Sequence, residues 1–146
     1  MDALILIIGP AGRLREGLCA VLRTFAGIAD LVTTDNFDSG YELAVRHQPS
    51  LVIVDVNDPL DGECIFLKRI LSSNEQGRCL VIARAMDQAV QAKHAGADAI
   101  LLHGFSTRTL NQTLVSLGVI HESGSSKNPT TSSRQQVTAF PLSQRN

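Results

Sequence analysis

No charge of one sign dominates this sequence: thirteen Lys and Arg residues face fourteen Asp and Glu, a formal net charge of −1 over 146 residues. That balance argues against a broadly basic nucleic-acid surface, while leaving room for a small local one. Cysteine is scarce. Cys19, Cys64 and Cys79 are widely spaced, form no CxxC pair and sit in apolar segments, so they read as reduced core thiols of a cytosolic protein. The chain starts Met1-Asp2-Ala3-Leu4-Ile5, without the basic stretch and cleavage site of a secretory leader. No apolar run approaches the roughly 20 residues needed to cross a bilayer. There is no internal repeat, no helix-turn-helix, and no Ser-His-Asp or Cys-His set at identifiable strand ends beyond Asp55 and His103, so no enzymatic activity is expected. A soluble cytoplasmic protein is expected.

What is present is a regular alternation of two periodicities, in a chain that is 44% apolar and long enough for one domain. Ala3 to Ile8, Ala29 to Thr34, Leu51 to Asp55, Cys79 to Ala83 and Ala99 to Leu102 are short apolar or β-branched runs that predict strands. Between them, Arg13 to Phe25 carries Leu14, Leu18, Val21, Leu22 and Phe25 at helical spacing, and Phe37, Tyr41, Ala44 and Val45 repeat that stripe up to His47. Gln48-Pro49 then breaks the pattern. Further helices are predicted from about Asp61 to Leu71 (with Cys64, Leu67 and Leu71 on one face), from Asp87 to Ala95 before Gly96, and after an N-cap at Ser106, with Leu110, Leu114 and Leu117 facing inward. A polar loop is predicted from Ser72 to Gly77. Five strand–helix units at this spacing predict a doubly wound parallel sheet covered on both faces.

After His121 the composition changes. Residues 122–146 include nine Ser or Thr, and their only large apolar side chains are Val137, Phe140 and Leu142. Too little apolar surface is available there to offset the entropy of ordering. The expected organisation is a domain over 1–121 followed by a flexible Ser/Thr-rich linker or tail over 122–146.

The most informative segment is Leu51-Val52-Ile53-Val54-Asp55, followed by Val56-Asn57-Asp58-Pro59-Leu60-Asp61-Gly62. Four consecutive branched apolar residues predict a strand buried on both faces, and the turn-forming stretch behind them puts Asp55 at the sheet rim. Open α/β sheets place their chemistry at that carboxyl edge. Asp58 and Asp61 could supply carboxylates near Asp55, but turn and helix-cap roles fit them better. Gly9-Pro10-Ala11-Gly12 after the first strand invites a nucleotide-binding reading, with Arg13 and Arg15 able to meet an anion. The spacing is neither the dinucleotide fingerprint nor a P-loop.

Together, Leu14-Arg15-Glu16-Gly17-Leu18, Pro49-Ser50-Leu51-Val52-Ile53-Val54-Asp55, Pro59-Leu60-Asp61-Gly62 and Ala95-Gly96-Ala97-Asp98-Ala99-Ile100-Leu101-Leu102 resemble the receiver domain of two-component response regulators. The Arg-Glu-Gly-Leu and Ala-Gly-Ala-Asp pieces look most like the NarL/FixJ branch, where a receiver precedes a DNA-binding domain. The resemblance spans roughly residues 3 to 120. It implies the CheY-like (flavodoxin-like) (βα)5 fold with strand order 2-1-3-4-5, and makes Asp55 the phosphoacceptor equivalent.

The departures from the family pattern lie in its pocket. The acidic pair that holds Mg²⁺ with the phosphoacceptor aligns with Gly9 and Pro10. The strand-four hydroxyl aligns with Ala83, the strand-five lysine with His103, and the switch aromatic with Ile100. Mg²⁺ demands several oxygen ligands, and phosphoryl transfer demands charge neutralisation. Mg²⁺ binding is therefore expected to be weak or absent, with no other cofactor. The expected function is an atypical (pseudo-)receiver that signals by protein–protein contact. The alternatives are a phosphorylation-competent receiver using Asp55 and a small Rossmann-like nucleotide binder. His103 reads as a solvated loop histidine that could stand in for lysine when protonated. The expected partner face is residues 87–118, with Ala89, Val90, Ala92 and Ala95 offering small apolar side chains to a second copy or a partner. A histidine kinase is a further candidate partner, and DNA would be contacted only through an output domain outside this chain.

Overall fold

The computed structural model describes residues 3–55, 68–72 and 77–121. Within them the chain runs β1 (Ala3–Ile8), α1 (Arg13–Leu22), β2 (Ile28–Thr34), α2 (Phe37–His47), β3 (Leu51–Asp55), a helical stretch α3 at residues 68–72, β4 (Arg78–Ala83), α4 (Met86–Ala95), β5 (Ala99–Leu102) and α5 (Thr107–Ser116). The five strands form one sheet in the order β2-β1-β3-β4-β5, and every neighbouring pair is parallel. The expected topology is the observed one.

Every residue of β3 is buried, as is every residue of β4 except Arg78, because helices cover both faces of the sheet. Alternation along each strand divides the core in two. Ile5, Ile7, Ile53, Leu80 and Ile82 pack against Leu18 and Leu22 of α1 and Leu110 and Leu114 of α5. Leu6, Ile8, Val52, Val54 and Val81 face Ala44 of α2, Ile70 of α3, and Ala89, Ala92 and Ala95 of α4. Gly40 lets α2 lie against β1, since a Cβ there would collide with the side chain of Ile8.

Local chemistry fixes the helix ends. Asn36 Oδ1 accepts the Ser39 N–H at 2.8 Å, and Ser106 Oγ accepts the Thr109 N–H at 3.1 Å, each satisfying an orphan donor of a first turn. Gln48 closes α2 in the left-handed region at φ 48°, and Gly96 closes α4 at φ 107°. Between β4 and β5, Asp98 accepts the Cys79 N–H at 2.8 Å and donates its own N–H to the Cys79 carbonyl at 2.9 Å. Burial, and then the Asp98 carboxylate, push the Cys79 thiol far above its ordinary range, which leaves it an inert core group.

Three expectations are corrected. Helix α1 ends at Leu22 rather than Phe25, because Thr24 and Phe25 turn back with N–H bonds to Val21 and Leu22 carbonyls. Phe25 still packs against the core from outside the helix. Ser72, expected in a loop, is helical, and its hydroxyl donates to the Lys68 carbonyl at 3.1 Å. Ala89, Ala92 and Ala95 are buried in the core instead of lining the partner face. Their small side chains bring α4 close to the sheet, and the same helix turns Met86 and Val90 outward. The readings of Asn57, Asp58, Asp61, Cys64, Leu67 and the 122–146 tail lie outside the described residues.

Candidate functional site

Four strand ends converge at the carboxyl edge of the sheet. Asp55 is the last residue of β3, paired in register with Ile82. Gly9 follows β1, whose last residue Ile8 pairs with Val54, and the Gly9 N–H donates to the Thr34 carbonyl at 2.9 Å. Ala83 ends β4, and His103 follows β5 with its N–H bonded to the Ala83 carbonyl at 2.9 Å. Parallel registers across the switch in strand order between β1 and β3 thus gather residues separated by up to 94 positions, from Gly9 to His103.

Asp55 is at the rim, as expected, but its side chain is only 7% exposed. Among the described residues, two neighbours press against it. Gly9 is buried beside it, so close that a Cβ built on Gly9 would lie 2.8 Å from Asp55 Cβ. His103 is not the solvated loop residue its sequence context suggests: its Nε2 lies 3.2 Å from Asp55 Oδ1, and its side chain is 28% exposed. An imidazole protonated at Nε2, whether neutral or cationic, donates to the carboxylate at that distance. Ala83 is fully buried and presents a methyl group. Pro10 is exposed. Ile100, paired with Val81, is packed in the core on the α4 side.

Two contacts were not legible in the sequence, although Arg15 reads there as able to meet an anion. Arg15 Nη1 reaches from α1 to donate to the Gly9 carbonyl at 3.0 Å. The six-residue spacing that carries it over the strand–helix loop is visible in the sequence, but the target is a backbone atom. Gln88, buried at 8% exposure, accepts the Arg84 N–H on Oε1 at 2.8 Å. That bond ties the β4–α4 loop to the first turn of α4.

Among the described residues, the pocket offers few ligands for a magnesium ion. Asp55 is the single carboxylate among the four converging residues, the room beside it at Gly9 is taken by Asp55 itself, and a guanidinium already occupies the Gly9 carbonyl. Imidazole nitrogen is a poor ligand for so hard a cation. Among the described residues, no three His, Cys, Asp or Glu side chains are grouped to hold a metal. No described helix is long and apolar enough to cross a membrane.

No protein-family model matches this chain, and no curated protein does. Solved structures do match. A two-component response regulator of the LuxR family from Aurantimonas sp. SI85-9A1 superimposes with a TM-score of 0.70 at 19% identity, over 94% of this chain and 99% of that one. The signal receiver domain of a histidine kinase from Syntrophus aciditrophicus gives 0.68 at 18%, over 87% of this chain and 100% of that one. The chemotaxis protein CheY4 of Vibrio cholerae gives 0.67 at 21%, over 80% and 99%. At such identities the likeness is one of fold, and the fold is that of CheY-like receivers.

Proposed function

We propose that this chain is a pseudo-receiver: a two-component-type signalling domain that works through protein contacts, with little or no Mg²⁺-dependent phosphorylation of Asp55. The observation that carries the reading is the occupied acceptor. Asp55 is sheltered, hydrogen-bonded to His103, and packed against a glycine where the resembling family has a metal-binding carboxylate. The pocket keeps a nucleophile and has lost the charges that would neutralise a transferring phosphoryl group. Ala83 offers no hydroxyl for a phosphoryl group to draw inward, and Ile100 has no polar atom to respond.

The contact surface in this reading is the outer side of α4, β5 and α5 within residues 87–118, extended by Met86. Met86 (50%), Val90 (47%) and Leu102 (37%) are the large apolar side chains most open there, and a second copy or a partner protein would cover them. A histidine kinase would be a partner in recognition without transfer. Any DNA contact or transcriptional output would belong to a separate output domain, and the domain would act in the cytoplasm.

The test is acetyl phosphate with Mg²⁺ on wild type and Asp55→Asn, followed by intact mass and light scattering. No phosphoryl adduct and an unchanged molar mass are expected. An Asp55-dependent adduct that changes the molar mass would establish a working phosphorylation switch and overturn the reading.

A further inference from the structure

On the opposite face of the sheet from α4, a cavity of about 330 Å³ opens between α1 and α5 and the loop that follows His103. Leu18 and Leu110 are its buried floor, and the half-buried Leu14, Val21 and Phe105 are its walls. Its volume is at the lower end of the range of small-molecule sites, roughly 300–1,000 Å³.

Two residues give the cavity a chemical preference. Gly17 lies in the interior of α1, where glycine is less favourable than alanine. Nothing lies within 4 Å of where its Cβ would be, and its φ is not positive. Neither packing nor backbone conformation within the described chain demands a glycine there; its effect is to keep the cavity open. Among the described residues, Arg13 is the one charged side chain in the lining and no acidic residue lines it. Arg13 is exposed, and among the described residues no carboxylate pairs with it. Thr107 is a second polar residue on the lining.

We propose that this cavity binds a small apolar carboxylic acid, with a single aromatic ring or a short branched chain against the leucines and Phe105, and its carboxylate on Arg13. An apolar body gains by leaving water on that floor. The guanidinium provides the charge-assisted hydrogen bonds that select an anion over a neutral analogue. The site is separate from the Asp55 pocket and stands whether or not Asp55 is phosphorylated.

The full-length chain, labelled with ¹⁵N, is titrated with sodium phenylacetate, and with benzyl alcohol and sodium acetate as truncated probes. Phenylacetate is expected to give saturable amide shifts at Gly17, Gly104 and Phe105. Acetate should give none, and benzyl alcohol should bind about tenfold more weakly for want of the charged contact. Arg13→Ala should bring phenylacetate down to the affinity of benzyl alcohol. Gly17→Leu should abolish binding while the amides of Val52 to Asp55 keep their native positions; if that variant does not fold, Gly17→Ala, which fits the open space, should weaken binding instead. The proposal is overturned if wild type shows no saturable shift with millimolar phenylacetate, if benzyl alcohol binds as tightly, or if filling the cavity at Gly17 changes nothing.

Discussion

The middle of the sheet and its carboxyl edge obey different constraints. Along β3 and β4 the side chains from Leu51 to Val54 and from Cys79 to Ile82 are buried between helical layers, and what they share is apolar bulk. One residue further on, function would hang on a few single atoms: the Asp55 carboxylate, the absent side chain of Gly9, the methyl of Ala83 and the ring of His103. Burial adds up over dozens of groups, so the core tolerates exchange among branched residues provided volume and alternation persist. A metal or phosphoryl site has no such reserve, since losing one carboxylate or one hydroxyl removes a ligand outright. The CheY-like fold can therefore persist at 18–21% identity while the carboxyl edge of this chain carries a carboxylate–imidazole pair.

The sharpest way to break this comparison is to treat a core position as if it belonged to the surface. Ala92 is fully buried on α4, so Ala92→Glu puts an unpaired carboxylate into the core. That costs several kcal/mol, a large part of a total stability of about 5–15 kcal/mol. Thermal melts by circular dichroism should show a lost or severely lowered transition. A variant that melts like wild type would mean that α4 does not pack as described.

Gly9 tests whether the edge can be made into a metal site by adding a side chain. A Cβ there would lie 2.8 Å from Asp55 Cβ, and β3 is too well packed to move away freely. Gly9→Ala should lower stability by about 1–3 kcal/mol, as overpacking does, read as a lower urea midpoint at unchanged slope. Gly9→Asp should fail to create millimolar Mg²⁺ affinity, measured by amide shifts near Asp55. Saturation of that variant by low-millimolar Mg²⁺ would show that the edge accepts a metal once a second carboxylate is supplied.

Gly17 turns the same logic around. Its Cβ would meet nothing, so Gly17→Ala should raise stability by about 0.5–1 kcal/mol through helix propensity and a less flexible unfolded chain. Urea unfolding checks the sign. A loss of stability would mean that the cavity between α1 and α5 is narrower than described.

The same division explains what could be read in the residues. Strand limits came within one residue, since each strand is a short apolar or β-branched run bounded by turn formers, as in Gln48-Pro49-Ser50 before Leu51. The end of α1 was obscured by Phe25, which continues the helical stripe although the chain has already turned. On α4 the period-three alanines were visible, but Met86 and Val90 give the opposite side apolar character too, so which side meets the sheet depends on tertiary packing. The contact of His103 with Asp55 joins residues 48 positions apart and follows only from the registers of β3, β4 and β5. Asp55, Gly9, Pro10, Ala83, His103 and Ile100 could be named from the resemblance; that the carboxylate is sheltered by a glycine and an imidazole could not.

The smallest expected change in stability, and the one most telling for function, sits two residues from the largest. Val90 is 47% exposed on the outer side of α4, so Val90→Glu exchanges a surface methyl pair for a solvated charge and should alter stability by no more than about 0.5 kcal/mol. If the outer face of α4 and β5 is where copies or partners meet, the same substitution places a charge in an apolar contact and weakens association through desolvation. Sedimentation equilibrium over a range of concentrations reads this directly, with Asp55→Asn as the companion variant. Val90→Glu should reduce self-association, if wild type shows any, while its melting curve overlays that of wild type. Asp55→Asn keeps an acceptor oxygen for His103 and lies on another edge of the sheet, so it should leave the mass distribution unchanged. The reverse pattern, with Asp55→Asn changing association and Val90→Glu silent, would place control of the contacts in the pocket, and the carboxyl edge would then be a working switch.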